Sequence, residues 1–151
     1  MKKSLFISPY YDEPSFVSYF NCISLINKTD WLTTNNLIHL NRVIQKKINL
    51  YEYLKNNIKK FNTVFFCSNS ILLTKKEIIE LSEYNKFFLI SFDDEYQFYQ
   101  NLFFAQHCKY VLCTEKISSF RYKYYKITSY FFPHPVQDFS NQIIEEKIAL
   151  F

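Results

Sequence analysis

An α/β fold with a mostly parallel sheet is predicted by three features of the sequence. Short β-branched and aromatic runs alternate with segments of helical period, the signature of βαβ units. The run at 63–68 is continuously apolar, as in a strand buried on both faces. No internal repeat or Gly/Ser/Pro-rich linker breaks the alternation, and 151 residues is the size of one domain, so a single domain over 1–151 is expected.

The first strand is expected at 4–8. A loop of Pro9, Tyr10, Tyr11, Asp12 and Glu13 leads to Pro14, whose fixed φ suits the first helical turn. The helix from there to about 27 sets Phe16, Phe20, Ile23 and Ile26 on one side, an apolar face for packing on a sheet. A short strand is expected around 30–32, after which Thr33 or Thr34 caps a helix carrying Leu37, Leu40 and Ile44 at core spacing. Another helix, 50–60, uses Leu50, Leu54, Ile58 and Phe61. Beyond the strand at 63–68, Thr74 and Glu77 form a capping box that starts a helix to about 84. A strand at 87–92 ends in Asp93-Asp94, a helix covers 95–104, and the next strand is 110–113. A helix from 117 to about 126 puts Ile117, Phe120 and Tyr124 on one face. The last strand is 129–132, closed by Pro133-His134-Pro135, and 141–151 is a final helix. Parallel strands need helical crossovers, which are right-handed, so this order folds as a three-layer αβα sandwich with helices on both faces, a Rossmann-like domain.

Composition excludes much. The chain is 48% hydrophobic and 21% aromatic, far from the disordered class. Glycine is absent, where average usage would supply about ten. Walker A, GxGxxG and the kinase glycine loop are thereby impossible. The net charge of +4 and pI near 8.8 are mildly basic. Arginine occurs only at Arg42 and Arg121 and alanine only at Ala105 and Ala149, while Lys, Asn, Ile, Tyr and Phe crowd the sequence. That is the imprint of an A+T-rich genome, which discounts the lysine excess, and no nucleic-acid partner is expected. Cys22, Cys67, Cys108 and Cys113 show neither CxxC nor zinc spacing and are expected as buried, reduced thiols of a cytoplasmic protein. The opening residues are too short for a signal-peptide core and no apolar run reaches transmembrane length, so a soluble chain is expected.

In open α/β sheets ligands bind outside the carboxyl ends of the strands. That rule selects Pro9 to Asp12, Ser68 to Ser70, Asp93 to Tyr96, and Thr114 with Glu115, with His134 nearby. Adjacent carboxylates at Asp93 and Asp94 can supply a general base or oxygen ligands for magnesium. Equally, Asp94 as N-cap and Glu95 in the first turn satisfy backbone donors and suit the helix dipole. His134, rigidified between prolines, is either a held functional imidazole or a turn residue. No role is expected for His39 or His107, and without GxSxG or a Cys/His pairing hydrolase chemistry has no support. Cations and aromatics interleave from Arg121 to Lys126 as on single-strand binding surfaces, yet at helical period half of them face the sheet.

The second half resembles the amino-terminal domain of GT-B glycosyltransferases, in particular the spore-maturation (CgeB-like) group. The resemblance rests on Phe88-Leu-Ile-Ser-Phe92 followed by Asp93, Asp94, Tyr96 and Phe98, and on Lys109-Tyr-Val-Leu-Cys113 followed by Thr114 and Glu115. It continues through the tyrosine-bearing helix at 119–126 and Tyr130-Phe-Phe-Pro-His-Pro135, covering roughly 63–136. Where the family carries glycine after its first strand and before its last, this sequence has Pro9 and Lys126. The resemblance implies an acceptor-binding half domain for surface-polysaccharide or glycoconjugate synthesis. It takes a glycan or glycosylated acceptor and is a fragment, a subunit completed by a nucleotide-sugar-binding partner domain or subunit, or a degenerate relative; no metal or cofactor is expected. Asp93 or Asp94 would orient or deprotonate the acceptor hydroxyl, Tyr10 and Tyr11 would stack on sugar faces, and Asp12, Tyr96, Thr114, Glu115 and His134 would complete the substrate site. The alternative is a non-catalytic Rossmann-like module that binds a protein partner through its aromatic surface.

Overall fold

The computed structural model describes residues 3–10, 13–34, 49–92 and 94–135. Among them six strands, β1 (Lys3–Ser8), β2 (Lys28–Thr33), β3 (Thr63–Cys67), β4 (Phe87–Ser91), β5 (Tyr110–Cys113) and β6 (Ser129–Phe131), form one sheet. The order is β2-β1-β3-β4-β5-β6 and every neighbouring pair is parallel. The connecting helices are α1 (Pro14–Ser24), α2 (Leu50–Asn57), α3 (Lys75–Ser82), α4 (Asp94–Ala105) and α5 (Lys116–Tyr124). Tyr11, Asp12 and Asp93, the helix expected with Leu37, Leu40 and Ile44, and that at 141–151 lie outside the described residues.

The step from β1 to β2 runs one way along the sheet and every later step runs the other. Right-handed crossovers therefore put α1 on one face and the remaining helices on the opposite face. Packing follows this division. Phe6, Phe65 and Ile90 meet Phe16, Tyr19 and Ile23 of α1 on the first face. Leu5, Ile7, Phe66 and Leu89 meet Leu54 of α2, Leu81 of α3, Phe104 of α4 and Tyr122 of α5 on the second. Strand neighbours alternate between the faces as the two-residue period requires. Each fully buried Phe or Leu contributes about 1.5–3 kcal/mol.

Local chemistry sets the helix ends. Pro14 opens α1, and Asn49 accepts from the Glu52 amide (3.1 Å) to open α2. Thr74 and Glu77 form the expected capping box of α3, at 3.4 and 2.7 Å. α1 stops at Ser24, short of the expected 27, and leaves Ile26 exposed. β2 is longer than expected: its lysine and aspartate hide an edge strand whose Lys3–Asp30 ion pair (2.8 Å) and Trp31–Phe20 stack (4.4 Å) tie it down. Thr33 ends β2, and the Thr34 amide donates to the Ser8 carbonyl (3.0 Å). At α5 the face bearing Ile117, Phe120 and Tyr124 points outward, and Ser118, Ser119 and Tyr122 face the sheet. The Ser129 hydroxyl donates to the Ser119 carbonyl (2.7 Å), a close approach that only a small residue permits.

Candidate functional site

Because all six strands are parallel, the loops after β1, β3, β4, β5 and β6 share one rim. Its best-built part is centred on Ser91, the last residue of β4. The Ser91 hydroxyl donates to Asp94 Oδ1, and Tyr122 OH lies 3.0 Å from both Asp94 Oδ1 and Ser91 Oγ. The Ser91 carbonyl accepts from the amide and the hydroxyl of Thr114, each at 3.2 Å. Arg121 donates to the Asp94 carbonyl (3.3 Å) and lies over the Phe98 ring at 4.0 Å. One serine thus ties the start of α4 to β5 and α5.

Asp94 is 1% exposed, and its Oδ2 has no hydrogen-bond partner among the described residues. A general base must come within hydrogen-bond reach of the proton it removes, and this carboxylate is turned inward. Its geometry is that of a positioning residue that locks the first turn of α4. Burial, and next the Asp94 charge, push the Tyr122 phenol up. Burial, reinforced by Asp94, pushes the Cys113 thiol up to about 12. Cys67, fully enclosed, is pushed up by burial, and all four cysteines are free. Thiols held protonated in this way are poor nucleophiles.

The remaining expected residues spread along the rim. Tyr10 is exposed at the end of β1, where Ser8 Oγ donates to its carbonyl (2.7 Å). Glu115 precedes α5 and accepts from Ser118 Oγ (3.4 Å). Tyr96 projects from α4 with 84% of its surface exposed. His134 is exposed on the α1 face, its ring 5.4 Å from Tyr19 and 5.5 Å from Phe92. Tyr19 fixes that crossing segment by donating to the Phe132 carbonyl (3.0 Å). The structure thus brings Asp94 and Thr114 together around Ser91, places Glu115 beside them, and sets Tyr10, Tyr96 and His134 apart.

A cleft of about 420 Å³ also opens on the rim, between α3 and α4; the strand-end rule points to its Ser68 and Asn69 end, while its α4 wall is not among the expected site residues. Ser68 and Asn69 close one end, Gln97, Gln100 and Asn101 come from α4, and Lys75 opens α3. The available signal was three amides at i, i+3 and i+4 on α4, in line with the buried Phe104 at i+7.

Among the described residues no three His, Cys, Asp or Glu side chains converge as a metal site, and no helix is long and apolar enough to cross a membrane. No family model, curated protein or solved structure matches this chain.

Proposed function

We propose that this chain is the acceptor-binding half domain of a GT-B-type glycosyltransferase of the spore-maturation (CgeB-like) group, acting in surface-polysaccharide or glycoconjugate synthesis. The observation that carries the reading is the Ser91 hub. It holds the segment after β4, which bears the acidic pair, against Thr114 at the end of β5 on the rim where α/β sheets bind ligands. Asp94 positions that turn from inside, and Asp93 beside it orients or deprotonates the acceptor hydroxyl. Glu115, beside Thr114, is the nearest further candidate for the acceptor, Tyr10, Tyr96 and His134 would contact the more distant parts of an extended glycan, and the nucleotide-sugar comes from a partner domain or subunit.

Thermal unfolding of the purified chain with nucleotide-sugars, nucleotides and glycan acceptors tests the reading. A ligand at 100 times its Kd stabilises by about 2.7 kcal/mol. Stabilisation by acceptors without stabilisation by nucleotide-sugars is expected. A shift with nucleotide-sugars alone, or with nothing in the panel, goes against it.

A second reading, a non-catalytic protein-interaction module, is favoured by the outer face of α5. There Ile117, Phe120 and Tyr124 are 67%, 58% and 84% exposed on successive turns. It predicts self-association or a co-purifying protein and indifference to sugars.

A further inference from the structure

We infer that the cleft between α3 and α4 binds a pyranose carrying one carboxylate, a hexuronic-acid unit. The inference rests on the acceptor-binding reading for the class of molecule and on the cleft itself for the place.

The α4 side of the cleft is unusual for a helix packed on a sheet. Asn101 stands on the buried stripe with Phe98, Phe104 and Ala105, where an amphipathic helix places apolar side chains, and half-buried Gln97 and exposed Gln100 flank it along the cleft. Asn101 is only 3% exposed, and its Nδ2 has no hydrogen-bond partner among the described residues. A buried donor left unmade is destabilising, and Leu at this position would avoid it. An amide there is explained if a ligand supplies the missing acceptor.

The lining selects the ligand. A carboxamide offers donors and acceptor together, which matches neighbouring ring hydroxyls that both give and take a proton. Ile71, Leu73 and Ile78 supply an apolar surface from the α3 side for the C–H face of the ring. The volume falls within the range of small-molecule sites. Among the described residues Lys75 is the one charged residue of the lining, and its Nζ stands 5.2 Å above the Phe103 ring of α4, so the cation spans the cleft. A single cation without an opposing carboxylate favours a ligand with a single negative charge. A phosphoryl group is less well served, because the capping box of Thr74 and Glu77 already takes up two backbone amides at the start of α3 and places the Glu77 carboxylate there, outside the cleft lining.

The full chain, 15N-labelled, is titrated with glucuronate, glucose and glucose 6-phosphate, reading backbone and side-chain amide resonances together. Glucuronate is expected to shift the side-chain amides of Asn69, Gln97, Gln100 and Asn101. Lys75→Met is expected to weaken glucuronate binding tenfold or more and to remove its advantage over glucose. Asn101→Leu is expected to abolish binding while raising Tm, a combination that separates a ligand site from a merely structural amide. Shifts confined to residues 91–94, 114–115 and 134 overturn the cleft but leave the glycosyltransferase-like reading intact. Absence of any shift at millimolar glucuronate, or a preference for glucose 6-phosphate, overturns the inference. The thermal panel with glycan acceptors judges the broader reading separately.

Discussion

Tyr122→Phe removes one oxygen from a side chain that is 0% exposed and leaves its ring packed 4.7 Å from Phe98. The hydroxyl lies 3.0 Å from Asp94 Oδ1, so the substitution takes away one of the two donors on that oxygen, and Ser91 alone remains. A hydrogen bond to a charged group contributes about 1.5–3 kcal/mol, and a buried acceptor left short of donors adds to the cost. About 2 kcal/mol is therefore expected. For a chain of this size each kcal/mol corresponds to roughly 2–4 °C, so Tm should fall by about 4–8 °C. Thermal and urea unfolding followed by circular dichroism measure the loss, with Tyr124→Phe, 84% exposed, as a control expected within about 0.5 kcal/mol of the wild type. A Tyr122→Phe protein melting within about 1 °C of the wild type would refute the assignment of the Ser91–Asp94–Tyr122 cluster as the clamp on α4.

Alkaline pH tests the same burial from another side. Tyr19 and Tyr122 have phenols pushed up chiefly by burial, so their contribution is complete below about pH 10 and is lost as pH climbs toward their folded-state values. The unfolded chain releases those protons first, and stability should drop by about 1.4 kcal/mol per pH unit for each tyrosine, less steeply in Tyr122→Phe. Thr74→Ala, which breaks the capping box, should cost about 1 kcal/mol in chemical denaturation without altering the far-ultraviolet spectrum. Cys67 and Cys113 should resist a thiol reagent at neutral pH in the native protein and react on unfolding; fast native labelling of either would contradict their enclosure. Phe120→Glu should leave Tm unchanged, and if the α5 face is an interaction surface it should abolish any self-association seen by sedimentation.

The strands were legible because each is a short apolar run set between helices with recognisable starts. The Thr74 and Glu77 box predicted a helix end from two residues, since its hydrogen bonds are local. What escaped depends on neighbours. At α5 the apolar stripe of Ile117, Phe120 and Tyr124 is the natural candidate for an inner face. Yet Ser118 and Ser119 bring the backbone closer to β6 than larger residues could, and Tyr122 reaches a carboxylate on another helix. Adjacent carboxylates at a strand end indicate chemistry or capping equally well, and only the fold reveals that Asp94 turns inward. His134 is near the rim in sequence, but the Tyr19 and Phe132 contact carries its segment to the α1 face. Asn101 breaks the apolar period of α4, a signal that has meaning once α3 stands opposite it.

Lys126 ends α5 with φ at 61°, the left-handed conformation that glycine adopts without strain. The amides of Lys126 and Ile127 close back on Lys123 and Tyr122 in the Schellman pattern, so the turn itself is intact and only its residue is unusual. Asn85 does the same duty after α3 at φ 51°, with a side chain better suited to it. Codon drift toward adenine and thymine disfavours glycine, alanine and proline alike, whose codons all begin with two G or C bases, and glycine is the one this sequence lacks altogether. A sequence without glycine thus leaves a strained helix terminus in its backbone, and Lys126→Gly is the substitution that relieves it.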